Sequence, residues 1–189
     1  MSSTPFAGRL AGGVLVAALS LLGCGGPGQS SRSPTQALPP YSPEAARLFD
    51  DTFAPVAFGF DSEARDLSRD PKLRERTRVS DFILPARVET ISRVGGVEHR
   101  GAYEVTLAPA GPPLAGDYAG GPVVLAIPSS NSSYAWLEGA GARWVGTRVV
   151  VFGRFYAGTP EPELHVRCEA DTRELRDIIA RDAGLRLLR

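Results

Sequence analysis

Cysteine is nearly absent from these 189 residues: Cys24 and Cys168 are the only two. Histidine is as scarce, at His99 and His165, and Lys72 is the single lysine, so arginine carries the positive charge. That bias fits GC-rich coding better than guanidinium-specific recognition. Neither sign of charge is in excess, with 21 Lys+Arg against 21 Asp+Glu. A chain with no positive surplus and no acidic tail has no electrostatic reason to seek nucleic acid. The aliphatic run Leu10–Leu22 holds 13 residues, short of the roughly 20 that a membrane-spanning helix needs. No G-x-S-x-G elbow occurs, so the commonest serine-hydrolase arrangement is missing.

The same short run has a positive meaning. Met1–Arg9 carries one base, Arg9, and no acid; Leu10–Leu22 is apolar, and Gly23 is small. Those three parts in that order form a secretory signal. A buried amphipathic helix is a poorer reading, because Gly12–Gly13 weaken it and no polar stripe recurs at helical spacing.

The tetrad Leu21-Leu22-Gly23-Cys24 resembles the lipobox of bacterial lipoproteins. The resemblance covers residues 1–24 only. It implies that residues 1–23 are a removable signal peptide and that the Cys24 thiol takes a diacylglyceryl group. The new amine is then acylated, with fatty chains such as palmitate. Two or three chains hold a protein stably to a bilayer, where one does not. Gly25 stands where an Asp retains such proteins at the inner membrane in enteric bacteria. By that analogy the destination is the cell outer membrane, with the chain facing the periplasm.

Residues 25–40 contain four Pro, three Gly and three Ser in 16 positions. This composition cannot bury enough apolar surface to fold, so 24–40 reads as a lipidated Cys and flexible tether. Its average span is roughly 20–24 Å. The 149 residues beyond it suffice for one domain with a core.

In that domain, Ser42-Pro43-Glu44 predicts a helix start running to about Phe53, and Asp70-Pro71-Lys72 predicts a second helix to about Arg78. Residues 41–80 are thus expected as a helical lead-in, packed onto the rest through Phe53, Phe58 and Phe60. From Asp81 the apolar period becomes two. Strands are expected at 82–93, with Pro85 confined to an edge or bulge, then at 102–108, 122–128, 146–156 and 163–170. The fourth is apolar on both faces and therefore central. Between the third and fourth, a helical turn is expected at Tyr134–Glu138. Asp171 with Glu174 predicts a capping box for a final helix, with Leu175, Ile178 and Ile179 buried and Gly184 as its stop.

The expected fold class is mainly β (α+β): a five-stranded antiparallel barrel over 81–189, with an N-terminal helical lead-in and a C-terminal helix. The run from Gly146 to Arg154 resembles the fourth strand of OB-fold barrels, whose "G-x-x-V-x-V-x-G-x" places one glycine at the turn and one at the bend. OB-folds bind extended ligands on the face of their second and third strands. That implies a ligand-binding role for Tyr103, Tyr134, Trp136 and Trp144, rings on which bases or sugars stack. The plainer reading, and the favoured one, makes the same rings core or barrel-end plugs.

No catalytic residue stands out. Ser129, Ser130, Ser132 and Ser133 make a polar turn, and Asp50–Asp51, Glu161 and Glu163 look like solvated acids. His165 and Cys168 lie three apart on one strand and so face opposite ways. With Cys24 lipidated, no zinc shell of His and Cys can be completed. Cys168, on the core side, then reads as a small buried hydrophobe. No cofactor is expected. Two functions follow: a non-enzymatic, membrane-anchored lipoprotein that docks an envelope partner protein as adaptor or assembly factor; or a ligand-binding barrel for an extended glycan or single-stranded nucleic acid, the last disfavoured by charge.

Overall fold

The structure, a computed structural model, describes residues 37–60, 66–95 and 101–186. The expected signal peptide, Cys24, all of the expected tether but its last four residues, and His99 lie outside the described residues. No helix among those described is long and apolar enough to cross a membrane.

The architecture is mainly β: a curled half-barrel sheet with four helices. Its longest strand is β2, as numbered in chain order, at Phe82–Val94; β3 is Ala102–Pro109, β5 Val123–Ile127, β6 Arg148–Tyr156 and β7 Glu163–Ala170. These five match the expected strands closely, and all their mutual pairings are antiparallel. Six strands form one path, β1-β7-β6-β2-β3-β5, in which β1 is Thr52–Phe53. Within it, β6-β2-β3-β5 is the Greek-key order: three antiparallel neighbours in sequence, then a fourth returning beside the first.

Two strands depart from the expected five. β1 joins the edge of β7 in parallel, pairing Thr52 with Arg167 and Phe53 with Cys168. β4, Ala115–Gly116, lies against the start of β2. Each is two residues long, too short for any hydrophobic period to reveal it. The sheet is therefore mixed.

Local chemistry explains the strand pattern. On β5, Val123, Leu125 and Ile127 are buried while Val124 and Ala126 are exposed, the alternation of a half-buried strand. On β6, Val149, Val150, Val151 and Phe152 are all fully buried, because both faces of that strand are covered. Pro85 sits where β2 changes partners, between the pairings with β4 and with β3. Its carbonyl accepts the Ala110 N–H at 2.8 Å on that side, so its missing N–H interrupts no ladder. Glu89 is a bulge between Val88 and Thr90, adding local curl.

The two faces carry separate cores. Inside the curl, Phe82, Leu84, Ala86, Val105, Leu107, Leu125, Val149 and Cys168 pack together. Outside, Ile83, Val150 and Phe152 are covered by helices: Leu73 comes from α2 (Pro71–Val79), and Leu175, Ile178 and Ile179 from α4 (Arg173–Arg186).

Helix ends follow their caps, with three corrections. α2 begins as expected, with the Asp70 carboxylate accepting the Lys72 N–H at 2.9 Å and Pro71 in the first turn. α1, expected from Ser42 to Phe53, spans only Pro43–Ala46. The chain then sends Phe49 into the outer core, and Asp51 adopts a left-handed φ of 53°. That turn delivers Thr52–Phe53 to the open edge of β7, so sheet pairing overrides helical preference. At α4 the cap is Thr172, whose hydroxyl accepts the Leu175 N–H at 3.1 Å. Asp171 is instead engaged by Arg148 and Arg176. Gly184 does not stop α4, which runs to Arg186; one glycine inside a docked helix costs only about 1 kcal/mol.

Candidate functional site

The four aromatic residues singled out above do not share one exposed face. Tyr134 is 7 % exposed and Trp144 5 %, both within the inner core; Tyr103 and Trp136 are half-buried against it. Tyr134 opens α3 (Tyr134–Ala140) and packs on Tyr103 of β3 at 5.1 Å between centroids. Trp144 ends the following 3-10 turn, Gly141–Trp144. Phe58 stacks on it at 3.9 Å, and Phe60 lies against both Trp144 and Trp136. Phe53 in turn packs on Phe58 at 5.1 Å, so Phe53, Phe58 and Phe60 lie in one aromatic cluster with Trp144 and Trp136. These rings are occupied with one another, an arrangement of plugs more than of a stacking platform.

Cys168 is fully buried on the inner face. Burial pushes its thiol far above the ordinary range, which makes it unreactive. Among the described residues no group of three or more His, Cys, Asp or Glu could hold a metal ion.

Polar chemistry concentrates instead on the outer face of β7, where Glu163, His165, Arg167 and Glu169 alternate. In sequence Glu163 and Asp50–Asp51 read as solvated acids. The structure joins them. The Asp51 carboxylate accepts the Val166 N–H at 2.8 Å through Oδ1 and meets His165 Nδ1 at 2.7 Å through Oδ2. Tyr41 stacks on the His165 ring at 3.6 Å and 2° and donates its hydroxyl to the Phe49 carbonyl at 2.5 Å. Burial, then the nearby Asp51 and Asp50 charges, push the Tyr41 phenol up to about 12. It therefore stays a donor. His165 Nε2 is buried with no hydrogen-bond partner among the described residues, although a Glu163 carboxylate oxygen lies 3.6 Å away. Closed off in this way, the Asp–His pair is a clamp.

One step further along β7, Arg167 reaches Asp50, the Thr52 hydroxyl and Glu169. Burial opposes its charge, but Glu169 and Asp50 outweigh that and raise its pKa. At the end of the ladder Arg76 of α2 pairs with Glu169 at 2.9 Å, the two side chains being 4 % and 7 % exposed. Arg76 also donates to the Leu48 carbonyl at 2.8 Å. Its guanidinium ties α2, the segment before β1, and β7 together, while burial pulls its pKa down against the pull of Glu169.

Beside the clamp lies a cleft of about 500 Å³ between the segment Pro39–Leu48, α2 and the end of β6. Tyr156 and Arg154 belong to its lining, with Arg47, Lys72, Glu44 and Glu75. Sequence reasoning missed this region because its walls come from segments more than 100 residues apart.

No protein-family model, no curated protein and no solved structure matches this chain.

Proposed function

We propose that this chain is a lipid-anchored, non-enzymatic lipoprotein of the cell outer membrane whose folded domain docks an envelope partner protein. The observation that carries the reading is Leu21-Leu22-Gly23-Cys24 at the end of an apolar run and ahead of a Pro/Gly/Ser-rich tether. Acyl chains on Cys24 hold the chain to the bilayer, and the tether lets the domain stand off it. The neutral charge supports a protein partner over nucleic acid.

We further infer that the barrel is OB-like. Its support is the Greek-key strand order, a property of partly open OB barrels, with α3 in the connection before β6. Gly146 at φ 92° opens that strand. Gly153 faces Phe82, where a Cβ would lie 2.1 Å from the ring. The four aromatic residues, divided and partly buried, lend the extended-ligand reading no comparable support.

The test is crosslinking in the protein's own cells, wild type against Cys24→Ala. The expected result is one defined envelope adduct in wild type that is lost with the cysteine. Recovery of wild type only as a free monomer contradicts the reading.

A further inference from the structure

We propose that the cleft between Pro39–Leu48 and α2 is a binding site for the C-terminal carboxylate of a partner polypeptide. Three observations carry it. Tyr156 is 2 % exposed, lines this cleft, and its hydroxyl has no hydrogen-bond partner among the described residues. A buried hydroxyl without a partner is costly to keep, and phenylalanine would fill the same space without that cost. Such a group marks a place where a ligand completes the bonding.

The second observation is charge. Arg154 lies over the Tyr156 ring at 5.5 Å and makes no ion pair among the described residues; Lys72 on the opposite wall makes none either. Asp81, the nearest acid in sequence to α2's end, already accepts the Phe155 N–H at 2.7 Å. The cleft therefore holds Arg154, Lys72 and Arg47 without an ion pair among the described residues, with the buried Tyr156 phenol behind its wall, a set that suits a carboxylate.

The third is what else lines it. Glu44 and Glu75 stand among the same walls, which disfavours a polyanion such as a phosphate chain. An extended peptide end satisfies both signs: its carboxylate meets Arg154 and Tyr156, while its backbone N–H groups face the two glutamates. Pro39, Leu48 and Val79 supply apolar surface for a small side chain. Capture of a chain-terminal carboxylate is an established recognition mode, and the volume falls in the range of ordinary ligand sites. Burial raises the Tyr156 pKa, Arg154 works against it, and the Asp81 and Asp51 charges add to the rise, so the phenol remains protonated and able to donate. Because that hydroxyl has almost no surface of its own, the carboxylate reaches it only when the side chains over it part. Binding must therefore perturb residues 39–48.

The assignment deepens the docking reading, on which its choice of partner rests; its chemistry is tested separately. The full chain in detergent is titrated with acetyl-Ala-Ala-Leu carrying either a free carboxylate or an amide, followed by calorimetry and by NMR of the Arg154 side chain and of amides 39–48. The free acid is expected to bind, with the amide about tenfold or more weaker, and the amides of 39–48 are expected to shift. Tyr156→Phe is expected to lose about tenfold in affinity with no fall in thermal midpoint, and Arg154→Met to lose a similar factor. Equal binding of acid and amide, or no binding of either, overturns the assignment. So does a Tyr156→Phe chain that melts lower yet binds as wild type, since the phenol would then have an internal partner. A chain that crosslinks to an envelope protein but ignores the acid removes the cleft assignment alone. One that takes the acid but yields no adduct removes the docking reading alone.

Discussion

Arg76 and Glu169 are the most enclosed opposite charges among the described residues, and their energetics differ from those of a surface pair. Breaking a buried pair leaves one charge without compensation, at about 3–5 kcal/mol. Arg76→Met is thus expected to lower unfolding stability by about 3 kcal/mol in urea, because Glu169 keeps only Arg167 and the Leu48 carbonyl loses its donor. Gly153→Ala is expected to cost about 1–3 kcal/mol by overpacking against the Phe82 ring. Adding Phe82→Leu should recover part of that loss, so the pair will be less than additive in a double-mutant cycle. Asp171 gives the pH dependence. A two-point hydrogen bond from Arg176, and then Arg148, hold its carboxyl below the ordinary carboxylate range. The unfolded chain therefore takes up that proton first. The contribution is complete above the unfolded value near 4, and is lost as pH falls through the lower, folded value. Asp171→Asn should flatten the acid limb of the stability curve and leave its shape near pH 7 unchanged; an unaltered acid limb would count against this role.

Among the elements, legibility followed periodicity. β5, β6 and β7 were readable to within about two residues because each carries several apolar positions at a spacing of two, and α2 because Asp70-Pro71 writes its start. β1 and β4 left no such trace, since two residues define no period. α1 was read too long because its cap at Ser42 is real, with the hydroxyl accepting the Ala45 N–H, while its end is decided by an edge of β7 more than 100 residues away. For the same reason Asp50 and Asp51 looked like solvated acids: they engage His165, Val166 and Arg167 of β7, a strand whose approach to them no local pattern records. The clamp makes a prediction at this scale. Asp51→Ala removes the acceptor for Val166 and the partner of His165, and puts alanine at a left-handed φ. Faster hydrogen exchange is expected at Val166 and through 41–53, with β2 and β3 unaffected. Uniform acceleration across the sheet would mean that Asp51 supports the whole fold and does not act as a local clamp.

For the whole molecule, the half-barrel and its helical cover make up the described residues, and the proposed lipid anchorage rests on the first 40 residues of the sequence. Within them lie one base in Met1–Arg9, an apolar run at Leu10–Leu22, the small Gly23 and Cys24, then 16 residues with four Pro, three Gly and three Ser. The most direct measurement is the intact mass of the N-terminal peptide of protein purified from its own cells. The account predicts a chain beginning at Cys24, heavier by a diacylglyceryl group and an amide-linked acyl chain. A free Cys24 thiol, or a peptide that still contains Met1–Gly23, would contradict it.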